Sequence, residues 1–186
     1  MKISSNFDSG NINVIEATDP LNIQLEINSD HQSEFYQWFH FRLETTPYQL
    51  HKLNINNLEK SAYPDGWDGY QAVASYDRQT WFRVPSNYEN GTLTFELEPE
   101  SGSVYFAYFA PYSYERHLDL LSWAQSEELC QLQTLGETLD GRDMSVLKIG
   151  QPSEDKKTIW ITARQHPGET MAEWFVEGLL HKLLDD

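Results

Sequence analysis

Leu21, Ile23, Leu25 and Ile27 alternate with Asn22, Gln24, Glu26 and Asn28, the period-two signature of a half-buried strand. Glu34 to Glu44 alternates in the same way: Phe35, Phe39, Phe41 and Leu43 fall on one face, Tyr36, Trp38, His40 and Arg42 on the other. Tyr48–Leu53, Tyr70–Tyr76, Trp81–Val84, Leu93–Leu97 and Val104–Phe109 add further short apolar or alternating runs. Turn signals separate them at Pro64-Asp65-Gly66, Asp77-Arg78-Gln79, Asn90-Gly91 and Ser101-Gly102. Short strands at a spacing of roughly 8–12 residues predict an antiparallel sandwich or barrel, of which the β-sandwich is the expectation carried forward.

The grammar changes after Pro111. Ser113 to Ala124 sets Leu118, Leu121 and Trp123 among charges and predicts a short helix. Leu132, Leu135 and Leu139 lead into Asp140-Gly141, and Met144, Val146, Leu147 and Ile149 lead out, which predicts a hairpin. Ile159 to Ala163 is apolar enough for an interior strand of a mixed sheet. Glu169 to Leu184 predicts a helix with two apolar rows, one of Phe175, Leu179 and Leu183, the other of Ala172, Val176, Leu180 and Leu184. Gly178 inside that helix costs roughly 1 kcal/mol against Ala, so a close approach by another element is expected there. The expected architecture is α+β overall, with a sandwich domain over 1–111 and the start of an α/β domain over 112–186.

Composition narrows the partners. The 186 residues carry a formal net charge of −16, and such a chain is repelled by phosphate backbones and anionic lipid, so neither nucleic acid nor a membrane is expected. Met1-Lys2-Ile3-Ser4-Ser5-Asn6 lacks the apolar core of a signal peptide, which makes a cytoplasmic location the expectation. Nothing in the sequence indicates an oligomeric state. The single cysteine, Cys130, lies in Leu129-Cys130-Gln131-Leu132, flanked by two leucines, and is expected to be a buried, inert thiol.

The chemistry concentrates at Arg164-Gln165-His166-Pro167-Gly168-Glu169. An imidazole and a carboxylate three residues apart, where a strand gives way to a turn and a helix, can meet on one zinc ion. Pro167-Gly168 is expected to supply the bend. A second His-x-x-Glu, His31-Gln32-Ser33-Glu34, serves as an internal control, since no glycine or helix follows it and metal binding is not expected there. A catalytic zinc needs three protein ligands and a position for water. His181, twelve positions beyond Glu169 on the same helix, lies roughly 18 Å away at about 1.5 Å per residue. His31, His40 and His51 are explained by exposure on the β portion, and His117 by a surface or capping role. Glu173 and Glu177 are expected on the solvated face of the last helix, leaving no general base and no third ligand.

The stretch Arg164–Glu169 resembles the zinc motif of the zinc metallocarboxypeptidases, in the cytosolic carboxypeptidase branch. Tyr105–Tyr114 resembles the junction between that branch's amino-terminal β domain and its catalytic domain, Gly136–Gly150 the hairpin before its metal strand, and Tyr76–Val84 a strand pair of its β domain. The resemblance implies a zinc-dependent enzyme removing residues from the carboxyl termini of peptides or proteins. His166 and Glu169 would be two of three ligands to one zinc. The third ligand, the general base and the groups gripping the substrate carboxylate would lie further along than Asp186, so the 186 residues are expected to be an amino-terminal portion, inactive alone. Two other readings compete. One is a non-catalytic β-sandwich interaction module whose Tyr63, Trp67, Tyr70 and Trp81 line a surface; the other is a related zinc acylase or deacylase.

Overall fold

The alternating runs before Pro111 become strands because every second residue finds an apolar partner across two stacked sheets. The computed structural model describes residues 1–185, and contacts divide the chain into two compact units, Met1–Pro111 and Tyr112–Asp186. The first unit holds ten strands: β1 (Lys2–Ser4), β2 (Asn13–Glu16), β3 (Ile23–Glu26), β4 (His40–Glu44), β5 (His51–Ile55), β6 (Val73–Ser75), β7 (Phe82–Arg83), β8 (Ser86–Glu89), β9 (Thr92–Leu97) and β10 (Ser103–Ala107). They form two five-stranded sheets, ordered β1-β4-β10-β6-β7 and β2-β3-β5-β9-β8. All pairs are antiparallel except β3 with β5, which runs parallel with Ile23 opposite Leu53.

Ile23, Leu25, Leu53, Ile55, Leu93 and Phe95 from one sheet meet Phe41, Leu43, Val104 and Phe106 from the other in one buried cluster. Phe95 and Phe106 join the layers with ring centroids 5.3 Å apart. Trp67 is fully buried against Phe39 and donates its indole N–H to Ser61 Oγ at 2.8 Å, so the large ring enters the core without an unmade hydrogen bond. Tyr70 is buried too, and its hydroxyl donates to the Tyr108 carbonyl. Of the four aromatics considered for a binding surface, Trp67 and Tyr70 therefore belong to the core, Trp81 is half-buried and Tyr63 is exposed.

Several expectations are corrected. The strand expected from Glu34 starts only at His40, and Phe35 is exposed; the Phe35 carbonyl instead accepts from the Asp30 N–H at 2.8 Å, closing a loop. His40 and His51 are wholly buried rather than exposed. His51 Nε2 lies 2.8 Å from Thr45 Oγ1 and its Nδ1 2.7 Å from the Gln49 carbonyl. Both rings are thus structural.

In the second unit, α1 (Tyr114–Ala124) begins where Ser113, in extended conformation, accepts the Arg116 N–H on its hydroxyl at 3.2 Å. The hairpin follows as β11 (Cys130–Glu137) and β12 (Asp143–Ile149), turning through Gly141 at φ 73°. Cys130 is half-buried rather than buried, and burial, followed by the nearby Glu127 charge, pushes its thiol up, away from the reactive thiolate. α2 (Met171–Leu184) packs one row on α1: Leu180 is buried with Tyr112 and Leu120, and Trp123, Leu147, Trp174, Val176 and Leu184 lean on them.

Ile159 to Ala163 is not a strand. Its backbone needs neighbours to take its hydrogen bonds, and among the described residues β11 and β12 pair only with each other. Ile159, Trp160 and Ile161 are accordingly exposed, Trp160 by 73%. The other row of α2 is open as well, with Phe175 and Leu183 exposed. Gly178 has no close neighbour: a Cβ built there meets nothing within 4 Å. No helix among the described residues is long and apolar enough to cross a membrane.

Candidate metal centre

The segment carrying the histidine and the glutamate reaches α2 through two turns. Arg164 takes a left-handed backbone conformation, φ 56°, and His166 to Glu169 then form a tight turn closed by the Glu169 N–H donating to the His166 carbonyl at 3.0 Å. Pro167 occupies the second position of that turn, where its fixed φ is favoured. Pro167 and Gly168 thus fill the two central positions of the turn, the bend expected from the sequence, and the left-handed residue of the segment is Arg164 and not Gly168.

That turn brings the two side chains together. His166 Nδ1 lies 3.0 Å from Glu169 Oε1, with the side chains 78% and 54% exposed. Two donors bound at about 2.0–2.1 Å to one tetrahedral zinc sit roughly 3.3 Å apart, so the observed separation is within a few tenths of an ångström of what a shared ion requires. An imidazole nitrogen and a carboxylate oxygen are also the donor types zinc takes. The pair fits the ion in identity and spacing. Among the described residues no group of three His, Cys, Asp or Glu side chains converges to hold a metal.

The remaining histidines are placed elsewhere. His181 Nδ1 is 3.1 Å from Asp185 Oδ2 and its ring packs on Trp123 at 4.1 Å, near the far end of α2. His31 and Glu34 are both exposed in the loop before β4. His117 is not a surface or capping residue: its Nδ1 lies 2.8 Å from Glu173 Oε1, tying α1 to α2.

Glu173 and Glu177 are not on a solvated face either. Arg164 Nη1 donates to Glu173 Oε2 at 2.5 Å and to the Tyr112 carbonyl at 3.0 Å, and Arg164 Nε donates to the Pro167 carbonyl at 3.1 Å. Arg116 grips Glu177 with two nitrogens, Nε at 2.8 Å and Nη2 at 2.5 Å, while its guanidinium lies over Trp174 at 4.2 Å. Burial pushes the Glu173 carboxyl up, but the hydrogen bonds from His117 and Arg164 and their charges leave it below its ordinary value. The Arg116 hydrogen bond does the same for Glu177. Both acids are structural anions, and the i, i+4 spacing of Glu173 and Glu177 opposite the adjacent Arg116-His117 was the available sequence signal.

Residues 3–109 match the cytosolic carboxypeptidase N-terminal domain family and residues 114–186 the zinc carboxypeptidase family. The chain belongs to the zinc carboxypeptidases, in their cytosolic branch. It is 46% identical to an uncharacterized protein of Zymomonas mobilis over 186 residues, all of this chain and 48% of that protein. Against the human protein cytosolic carboxypeptidase 2 it is 29% identical over 213 residues, 98% of this chain and 24% of that one. Among solved structures, a carboxypeptidase A-like protein of Shewanella denitrificans superposes with a TM-score of 0.95 at 57% identity, covering 100% of this chain and 49% of that chain. A metallo-carboxypeptidase of Pseudomonas aeruginosa, solved with (2-guanidinoethylmercapto)succinic acid, superposes at 0.92 with 48% identity, covering 98% and 49%. The chain thus spans about half the length of the Zymomonas relative and of these structures, and about a quarter of the human one.

Proposed function

We propose that the protein carrying these residues is a zinc-dependent metallocarboxypeptidase that removes residues from the carboxyl termini of peptides or proteins, with His166 and Glu169 as two ligands of one zinc ion. The observation that carries the reading is the 3.0 Å approach of His166 Nδ1 to Glu169 Oε1, in a chain whose two segments match the two parts of one peptidase family. When bound, zinc polarises a scissile carbonyl and lowers the pKa of a bound water. The part of His166 and Glu169 is to hold the ion at the rim of α2, one as a neutral imidazole and one as a carboxylate. Residues 1–111 are proposed as an accessory β-sandwich and residues 112–186 as the opening of the catalytic domain. A cytoplasmic site of action is the reading that the cytosolic relatives support.

The substrate class has separate support. The Pseudomonas relative was solved with a dicarboxylic acid, a ligand chemistry that suits a site built to grip a free terminal carboxylate. The test is made on the full-length protein, as zinc content and release of amino acids from peptides with free or amidated carboxyl termini. His166→Ala and Glu169→Ala should each lose stoichiometric zinc and hydrolysis, and only the free terminus should be cleaved. Unchanged zinc in both variants, or equal cleavage of the amidated peptide, would overturn the assignment.

A further inference from the structure

We propose that Arg164 is a positioning residue for the metal pair: its guanidinium ties the turn holding His166 and Glu169 to α2 through Glu173. The inference rests on the reading of His166 and Glu169 as zinc ligands. Neither ligand side chain is held by packing, since both are largely exposed. Their convergence therefore depends on the backbone that carries them. The turn's own hydrogen bond fixes the spacing of residues 166 and 169, and the Ala172 N–H bonded to the Glu169 carbonyl joins the turn to α2, but neither bond sets how the segment entering at Arg164 lies against α1.

Arg164 removes that freedom with three contacts. Its Nε takes the Pro167 carbonyl at the middle of the turn, and its Nη1 takes both the Tyr112 carbonyl ahead of α1 and the Glu173 carboxylate in the first turn of α2. Glu173 lies in the first turn of α2, and the Ala172 N–H donates to the Glu169 carbonyl at 3.2 Å, so fixing Glu173 also fixes the helix start to which Glu169 is joined. The other Glu173 oxygen is held by His117 on α1. A continuous polar chain thus runs from His117 through Glu173 and Arg164 to Pro167, between the two ligands.

The backbone supports the assignment independently. A side chain other than Gly in the left-handed region is uncommon and costs on the order of 1 kcal/mol, yet position 164 is arginine at φ 56°. Glycine would relieve the backbone there but make none of the three contacts. Lysine would carry the charge as a single point and could not span two carbonyls and a carboxylate from one planar fork.

The experiment measures zinc affinity by competition with a chelating dye in the full-length protein, for wild type, Arg164→Gln, Arg164→Lys, Glu173→Gln, the Arg164→Gln/Glu173→Gln double variant and His166→Ala. Loss of a residue that orients a metal ligand weakens metal binding by about 10–100-fold, and Arg164→Gln should show that loss. Arg164→Lys should recover only part of it. The double variant should lose no more than the worse single one, because both belong to one chain of contacts. Melting of the metal-free proteins is followed in parallel. A purely structural role would lower the melting temperature of Arg164→Gln while leaving zinc affinity within about twofold of wild type, and that result overturns the proposal. If His166→Ala keeps its zinc, the ligand reading itself fails, and this inference with it; if His166→Ala loses zinc and Arg164→Gln does not, only the positioning role fails.

Discussion

His40 is a titratable group strongly set by its surroundings. Its Nδ1 lies 3.0 Å from Ser9 Oγ, and Phe7, Trp38, Trp81 and Tyr105 surround its ring at centroid distances of 4.8 to 6.2 Å. Burial, and after it the positive charge of Arg78, lower its pKa to about 3 from an ordinary 6.5. The neutral ring is thus the form the folded state keeps. Its contribution to stability is complete above about pH 6.5, where the unfolded chain is neutral too, and is lost as pH falls from there towards 3, because only the unfolded chain takes up the proton. A shift of this size corresponds to something on the order of 4 kcal/mol by pH 3. His40→Phe, which keeps an aromatic ring and removes the titration, should be less stable than wild type at pH 7, through the lost Ser9 contact, and should close that gap or reverse it by pH 4. Melting temperatures of the two proteins between pH 7 and 4 provide the check, and a pH-independent gap would count against the burial argument. The alternation of Phe39, Phe41 and Leu43 was legible in the sequence and placed His40 on the opposite face correctly. That the opposite face is also covered was not legible, because Phe7 and Trp81 reach it from distant segments.

At the scale of elements, the strongest periodicities returned their elements and the isolated apolar runs did not. The helix after Ser113, the hairpin about Asp140-Gly141 and the strands at Leu93 and Val104 follow from pattern plus a cap or turn residue. β1, β2 and β8 are strands of three or four residues with little buried surface, and so carry almost no apolar signal. Two substitutions test the local physics. Ser113→Ala removes the hydroxyl that caps α1 and should cost about 1 kcal/mol, seen as a lower midpoint for the unfolding phase of the second unit; Ser113→Asp should restore it. Gly178→Ala has the opposite sign. Because a Cβ at 178 meets nothing within 4 Å, the methyl group should stabilise α2 in the 186-residue chain by roughly 0.5–1 kcal/mol. A loss of stability there would mean that the close approach first expected from the sequence is real.

Across the molecule, the two units differ in how completely they cover their own apolar surface. The first buries large side chains from both sheets in one continuous cluster, whereas the second, among the described residues, gathers Tyr112, Leu120 and Leu180 into a small cluster and leaves Ile159, Trp160, Phe175 and Leu183 open to solvent. So many large apolar side chains left exposed in so small a unit are unusual for one that is stable in isolation. The same contrast explains the uneven legibility of the candidate site. His166 and Glu169 are neighbours in sequence, so their spacing could be read directly, while His117, Glu173 and Arg164 meet through the packing of α1 against α2, which the i, i+4 spacing of Glu173 and Glu177 signals only indirectly. Expressed alone, residues 1–111 should unfold in a single cooperative transition with the near-ultraviolet circular dichroism of a fixed Trp67. Residues 112–186 alone should bind an apolar dye such as anilinonaphthalene sulfonate and melt without a sharp transition. Sharp melting of the second fragment, with no dye binding, would show that Trp160 and Phe175 find cover within those residues, and the exposed arrangement of that unit would then be wrong.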